Sequence, residues 1–261
     1  MQLRPMLVCS LLFSAIAIGL LPYSATGQTP GHERPGSAVI VELFTSEGCS
    51  DCPPADAVLS QIDLKQTRAG QLIVGISEHV TYWNNLGWTD PFSAPEFTER
   101  QDVYASRMSP EGPYTPQMVV NGREQFVGSD IGALQRALGD EARRSHPDLS
   151  ILSTTPSSLG LDVTFSIEGE ISRPLDIVAV LTDDADQSKV LRGENGGRLL
   201  QHVSVARSLV RVATVSSAAQ MSVHIAFPDG FHLDSGSGHH LILFAQERRQ
   251  GAIEGAATTR L

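Results

Sequence analysis

VELFTSEGCSDCPPAD (Val41–Asp56) joins a strand-like run to two cysteines spaced CxxC and then to two prolines. Upstream it continues back through SAVIVELFTS, an unbroken apolar run rich in β-branched residues, as in a strand buried on both faces. Downstream, ADAVLSQIDL places Val58, Leu59 and Ile62 on one helical face. A strand that ends in CxxC and passes into a helix puts the first sulfur near a helix N-terminus, where unpaired N–H groups and the helix dipole stabilise a thiolate. Cys49 is therefore expected to be the exposed nucleophile, with Cys52 behind it to displace a mixed disulfide. Pro53 and Pro54 fit only at a helix start. Glu47 and Asp51 place negative charge beside the sulfurs, which raises a thiol pKa and argues against a strong oxidant.

Three chemistries compete for the cysteine pair. A structural staple closes so small a loop that little entropy leaves the unfolded chain. A zinc knuckle needs about four ligands, and only one CxxC is present. Redox exchange remains and is favoured over the staple. Cys9, the one other cysteine of the chain, falls in an N-terminal apolar stretch. That stretch, Met6 to Leu21 after Arg4, gives way to PYSATGQTPG with a plausible cut after Gly27, the layout of a secretory leader over residues 1–27. A periplasmic or secreted protein in an oxidising compartment is expected, with a retained N-terminal anchor as the alternative.

Beyond the opening stretch the chain reads in two halves. In the first, over residues 36–145, QLIVGIS is a second buried strand, and a long excursion follows at about 79–113. Within it, Ser93 followed three residues later by Glu96 reads as a capping box for a helix carrying Phe97, Tyr104 and Met108. PQMVVNGREQFVG reads as a hairpin turning at Asn121-Gly122, and SDIGALQRALGDEARR as an amphipathic helix with Ile131, Leu134 and Leu138 on one side. In the second half, residues 148–261, apolar and polar residues alternate in short segments, among them LDVTFSIEG, LLQHVSVA, SLVRVATV and LILFAQE. The fold class expected is an α/β thioredoxin-like N-terminal domain, a mixed sheet with helices, followed by an all-β, sandwich-like C-terminal domain.

YTPQMVVNG places Thr115-Pro116 just before a hydrophobic strand, in the order where thioredoxin-like folds carry a cis-proline opposite their CxxC. An ordinary trans proline at a strand start is the plainer reading. Through strand-CxxC-helix and Thr115-Pro116, the first half resembles the thioredoxin superfamily. More closely, VELFTSEGCSDCPPAD, EHVTYWNNLGWTDPF, YTPQMVVNG and RGENGGRLLQHVSVAR together resemble the secreted bacterial proteins grouped as the domain of unknown function 1223 family. The resemblance implies a thioredoxin-like domain and a β-rich domain peculiar to the family, without a substrate.

Charge limits the partners. With 19 Lys and Arg against 29 Asp and Glu, the formal net charge is −10, which disfavours nucleic acid and anionic lipid. No membrane contact beyond the leader is expected. The candidate exchange residues are Cys49, Cys52 and Pro116, acting on a protein or a small thiol or disulfide, with no cofactor. Thr115, His79, Trp83 and Trp88 are candidate substrate contacts. His79 falls at the carboxyl end of a strand, the edge where open α/β sheets bind ligands. Packing of the tryptophans onto the domain, and a backbone hydrogen bond for His79, are the alternatives. A binding module of another class would hold Cu(I) through Cys49, Cys52 and His79, since soft thiolates suit that ion. A non-catalytic scaffolding role for the β-rich half is a third reading. RGENGGRLL lacks the ending of a phosphate loop and is expected to be a turn that contacts the first half. His239-His240 beside Asp234 reads as a solvated loop rather than a surface metal site.

Overall fold

The computed structural model describes residues 1–2, 36–233 and 238–261. The expected leader therefore lies outside the described residues except for its first two, as does Asp234. Among the described residues no helix is long and apolar enough to cross a membrane.

The elements run β1 (Gly36–Thr45), α1 (Pro53–Ile62), β2 (Gln71–His79), α2 (Pro95–Met108), β3 (Gln117–Val120), β4 (Glu124–Val127), α3 (Ile131–Glu141), β5 (Asp148–Pro156), β6 (Gly160–Glu168), β7 (Leu175–Lys189), β8 (Leu199–Val215), β9 (Ala219–Ala226), β10 (His239–Glu247) and β11 (Ile253–Arg260). Eight strands form one mixed sheet in the order β11-β10-β7-β8-β2-β1-β3-β4, and β5-β6-β9 form a second, three-stranded sheet.

This arrangement corrects the expected fold class. The described residues are mostly β, with 45% strand against 16% helix, and a freestanding thioredoxin-like α/β domain followed by a separate sandwich is not what they form. Strands from both halves share the large sheet, joined where Ser77 of β2 meets Val205 of β8 in parallel. The reason lies in β7 and β10, whose middles are buried on both faces. Ile177, Ala179 and Leu181 of β7 pack with Leu161, Val163 and Phe165 of the small sheet. The alternate residues Val178 and Val180 pack instead with Ile40, Val74 and Ile76 of β1 and β2 and with Phe97 of α2. A strand with two apolar faces needs two apolar partners, at roughly 1.5–3 kcal/mol for each large side chain covered. IVAVL (177–181) and LILFA (241–245) carry that signal as continuous apolar runs, which a one-faced sandwich strand lacks.

Local expectations are corrected in three further places. LLQHVSVA and SLVRVATV are one 17-residue strand, β8, which continues through Ser204 at φ 48°. The capping box at Ser93 does not form: Ala94 is the N-cap of α2, and Ser93 Oγ donates to the Asp90 carbonyl at 2.8 Å. Ile131, expected on the inner face of α3, is 53% exposed; Leu134 is buried there as expected, together with Ala133 and Ala137.

The hairpin β3–β4 turns at Asn121 and Gly122, both at positive φ. Its turn is buried because β11 returns against it, the Ile253 N–H donating to the Asn121 carbonyl at 2.8 Å. Asn121 accepts from the Ile40 N–H through Oδ1 and donates to Glu141 Oε2 through Nδ2.

Candidate functional site

The cysteines lie where β1 ends and α1 begins. Cys49 and Cys52 are joined as a disulfide, Cys52 is the N-cap of α1, and Pro53 and Pro54 fill the first helical positions. Cys49 is not the exposed nucleophile expected: it is 1% accessible, and Cys52, expected behind it, is 0%. The loop is held from three sides. A methyl group added at Gly48 would stand only 2.9 Å from Trp83 Cβ, so the Trp83 segment lies directly on the backbone there. The Glu47 N–H donates to Asp90 Oδ2 at 2.8 Å. From the β7–β8 connection, Asn195 Nδ2 donates to the carbonyls of both Glu47 and Cys49 at 2.9 Å, and Glu194 Oε2 accepts from the Ser50 N–H at 3.0 Å. The RGENGG turn thus contacts the first half, as its composition suggests.

Beside the disulfide, five buried ionisable side chains meet: Glu47, Asp56, His79, Asp90 and His202. Glu47 accepts from Trp88 Nε1 at 2.7 Å, from the Ser188 hydroxyl and from His202 Nε2 at 3.3 Å. Asp56 accepts from the Thr45 hydroxyl at 2.9 Å and lies 3.9 Å from His202 Nδ1. His79 Nδ1 meets Asp90 Oδ2 at 2.7 Å. The rings of His79 and His202 cross edge to face at 4.6 Å, with Phe92 packed against both.

Burial and pairing pull these groups in opposite directions. Burial raises the Glu47 carboxyl, but hydrogen bonds from His202, Ser188 and Trp88 outweigh it and bring its pKa below the ordinary value. Burial lowers the His202 ring, but the Glu47 hydrogen bond and the charges of Asp56, Glu47 and Asp90 leave it above its ordinary value. Asp90 is likewise lowered, burial being overcome by the charge and hydrogen bond of His79. Asp56 goes the other way, raised by burial that its partners do not offset.

A pH signature follows from the signs. A lowered carboxyl stabilises the fold above its unfolded pKa and loses that contribution as pH falls through its folded value. A raised imidazole stabilises below its unfolded pKa and loses that contribution as pH rises through its folded value. The two contributions of the Glu47–His202 pair overlap between the ordinary values, 4.5 and 6.5. Glu47→Gln is expected to cost about 3 kcal/mol near pH 6 and distinctly less at pH 9, read by urea unfolding at each pH. An equal cost at both would remove the ionic pairing.

Of the residues singled out from sequence, Cys49, Cys52, Thr115, Pro116, Trp83 and Trp88 surround one loop. The Thr115-Pro116 bond is cis. Gly128, whose N–H donates to the Pro116 carbonyl, has no room for a methyl group between Ala55 of α1 and Leu43 of β1. Trp83 Nε1 donates to Thr115 Oγ1 at 2.9 Å, so both tryptophans have their ring N–H groups tied to the site. His79 faces Asp90 and His202 and is fully buried. Among the described residues no group of three or more His, Cys, Asp or Glu side chains is arranged to hold a metal ion. Sequence reasoning misses Asp56, Asp90, Ser188, Asn195 and His202 as site residues, although the stretches EHVTYWNNLGWTDPF and RGENGGRLLQHVSVAR contain three of them.

Comparison with known proteins spans both halves of the chain. The family model described as Protein of unknown function (DUF1223) matches residues 40–246. An X-ray crystal structure of a protein from Agrobacterium tumefaciens, from a structural genomics consortium, is 27% identical with a TM-score of 0.64, covering 85% of this chain and 94% of that one. No curated protein matches the chain.

Proposed function

The chain belongs to the DUF1223 family of proteins of unknown function, and from the chemistry of its site we propose that it is an exported thiol–disulfide oxidoreductase in which Cys49 and Cys52 cycle between disulfide and dithiol. The observation that carries the reading is the placement of that disulfide: it sits at the N-terminus of α1, at the carboxyl ends of the parallel strands β1 and β2. That edge, at the carboxyl ends of parallel strands, is where ligands usually reach such a sheet. The N-terminal apolar stretch supports export, because a disulfide of this kind persists in an oxidising compartment.

In the forward sense a substrate thiolate attacks one sulfur of the disulfide, breaking the S–S bond and forming a mixed disulfide. A second substrate thiol then displaces the protein sulfur, so the substrate gives up two electrons and two protons and the protein becomes a dithiol. The reverse sequence starts from the Cys49 thiolate and is resolved by Cys52. Thr115, Pro116, Trp83 and Trp88 border the loop and would shape what reaches it.

The test is whether the pair equilibrates in the folded protein. Incubated across a series of reduced-to-oxidised dithiothreitol ratios, the full chain is expected to pass reversibly between disulfide and dithiol with its near-ultraviolet circular dichroism retained. A disulfide that resists reduction until the protein unfolds would overturn the proposal in favour of a structural staple.

A further inference from the structure

The direction in which such a pair runs depends on how well the reduced form is stabilised as a thiolate, and hence on the donors around Cys49. Those donors are already committed. The Gly48 N–H donates to Ser46 Oγ, that of Cys49 to the Ser46 carbonyl, and that of Cys52 to the Cys49 carbonyl. The N–H groups of Ala55 and Asp56 both go to the Cys52 carbonyl, that of Glu47 goes to Asp90, and that of Ser50 to Glu194. Pro53 and Pro54 have no N–H, so two of the donors that a helix start normally offers are missing. Among the described residues from Glu47 to Asp56, only the Asp51 N–H is left without a protein acceptor. Burial adds to the effect, because a thiolate at a 1% exposed position loses its water.

We propose that Glu194 and Asn195, reaching over from the β7–β8 connection, are positioning residues that keep the disulfide form of this pair favoured, so that the reduced protein acts as an electron donor to substrate disulfides. Glu194 takes the Ser50 N–H, the backbone donor directly after Cys49, and sets a carboxylate there in its place. Asn195 fixes the loop in that arrangement by its two carbonyl contacts, and is itself oriented by Arg198 Nη1, which donates to its Oδ1 at 2.6 Å. The inference rests on the redox reading above and gives it a direction.

In that direction the Cys49 thiolate attacks a substrate disulfide and expels one substrate thiol, leaving a Cys49–substrate disulfide. Cys52 then attacks Cys49 Sγ, the second substrate thiol leaves, and the protein has passed two electrons and two protons to the substrate. Each cycle leaves the protein oxidised. A reaction of one defined class must therefore precede the next: reduction of Cys49–Cys52 by a protein or small dithiol of still lower potential.

The experiment equilibrates the full-length protein in glutathione and in dithiothreitol buffers, traps free thiols by alkylation and counts them by mass. Wild type is expected to stay disulfide-bonded in reduced glutathione and to be reduced by dithiothreitol. Glu194→Ala, an exposed change that leaves the core alone, is expected to shift the equilibrium constant toward dithiol by roughly three- to tenfold, tenfold being about 30 mV. Glu194→Gln, which keeps an oxygen acceptor without the charge, falls between, and Asn195→Ala moves the same way as Glu194→Ala. The alkylation rate of reduced Cys49 at pH 7 rises in the same order. Equal constants for wild type and Glu194→Ala, or a wild type already reduced by glutathione, would overturn the inference and leave the redox reading standing. A wild-type disulfide that dithiothreitol cannot reduce in the folded state would instead remove the redox reading itself.

Discussion

Cys49→Ser is expected to bring dithiothreitol-driven insulin reduction down to the uncatalysed rate. A serine hydroxyl is not ionised at neutral pH and cannot attack a disulfide, so removing the first sulfur removes the mixed-disulfide step altogether. Cys52→Ser is expected to fail differently. Attack still occurs at Cys49, but without the second sulfur the mixed disulfide is not resolved, and a covalent Cys49–substrate adduct accumulates that mass spectrometry under non-reducing conditions detects. The cost to stability separates chemistry from folding. The bridge spans a sequence separation of 3, so chain entropy assigns its loss only about 2 kcal/mol. A double Ser variant with wild-type insulin reduction would sink the proposal, and one that is inactive because it is unfolded would be recognised by its lost near-ultraviolet signal.

The largest expected loss of stability belongs to a different cluster. Arg100 of α2 is 3% exposed and reaches into the sheet, where its Nε pairs with Glu42 and lies 3.7 Å from Glu78. Its Nη2 donates to the Tyr104 oxygen at 2.9 Å and to Gln246 Oε1 at 3.2 Å, while Tyr104 donates to Glu42 Oε2 at 2.8 Å. The guanidinium also faces the rings of Tyr104 and Phe244 at 5.0 and 5.2 Å. Arg100→Met is expected to lower the unfolding free energy by about 3–5 kcal/mol, because the Glu42 carboxylate is left buried without its cation. Replacing both partners, Arg100→Met with Glu42→Met, is expected to recover most of that loss, since an apolar pair carries no desolvation cost.

Glu78 gives the same variant a pH dependence. Burial, then the Glu42 charge, push its carboxyl well above the ordinary value against the pull of Arg100. A raised folded pKa means that its contribution to stability is complete below the ordinary carboxylate range and is lost as pH rises toward the folded value. Without Arg100 that pKa rises further, so the variant is expected to lose more stability between pH 5 and pH 8 than wild type does. Chemical denaturation at the two pH values checks this. A cost below 1 kcal/mol, or a double variant as unstable as the single one, would show that the pair does not act as argued.

Several features are legible from short stretches of chain because neighbouring residues decide them. The strand ending in CxxC, the helix begun by Pro53 and Pro54, and the turn at Asn121-Gly122 each depend on local backbone preference. The site is only half legible. Trp88 and His79 stand out by residue type, but their partners do not: Glu47 is held by Ser188 and His202, 141 and 155 residues away, and its carbonyl by Asn195, 148 away. From sequence, Glu47 is expected to act on the sulfurs through its charge. In the fold that charge is turned to Trp88, Ser188 and His202, and only its backbone belongs to the cysteine loop.

By itself, then, the sequence determined which residues seek burial and where the backbone must turn, because periodicity, proline and glycine act over a few residues. It also determined that two cysteines share one loop. Tertiary structure decided what the buried faces meet. β7 and β10 carry apolar residues on both sides, and that surface is covered only when one sheet runs through both halves of the chain. The same closure carries the β7–β8 connection onto the cysteine loop. Hydrogen bonds between distant residues leave no periodic trace, so the grip of Glu194 and Asn195 on Cys49 and its neighbours exists only once the sheet has formed.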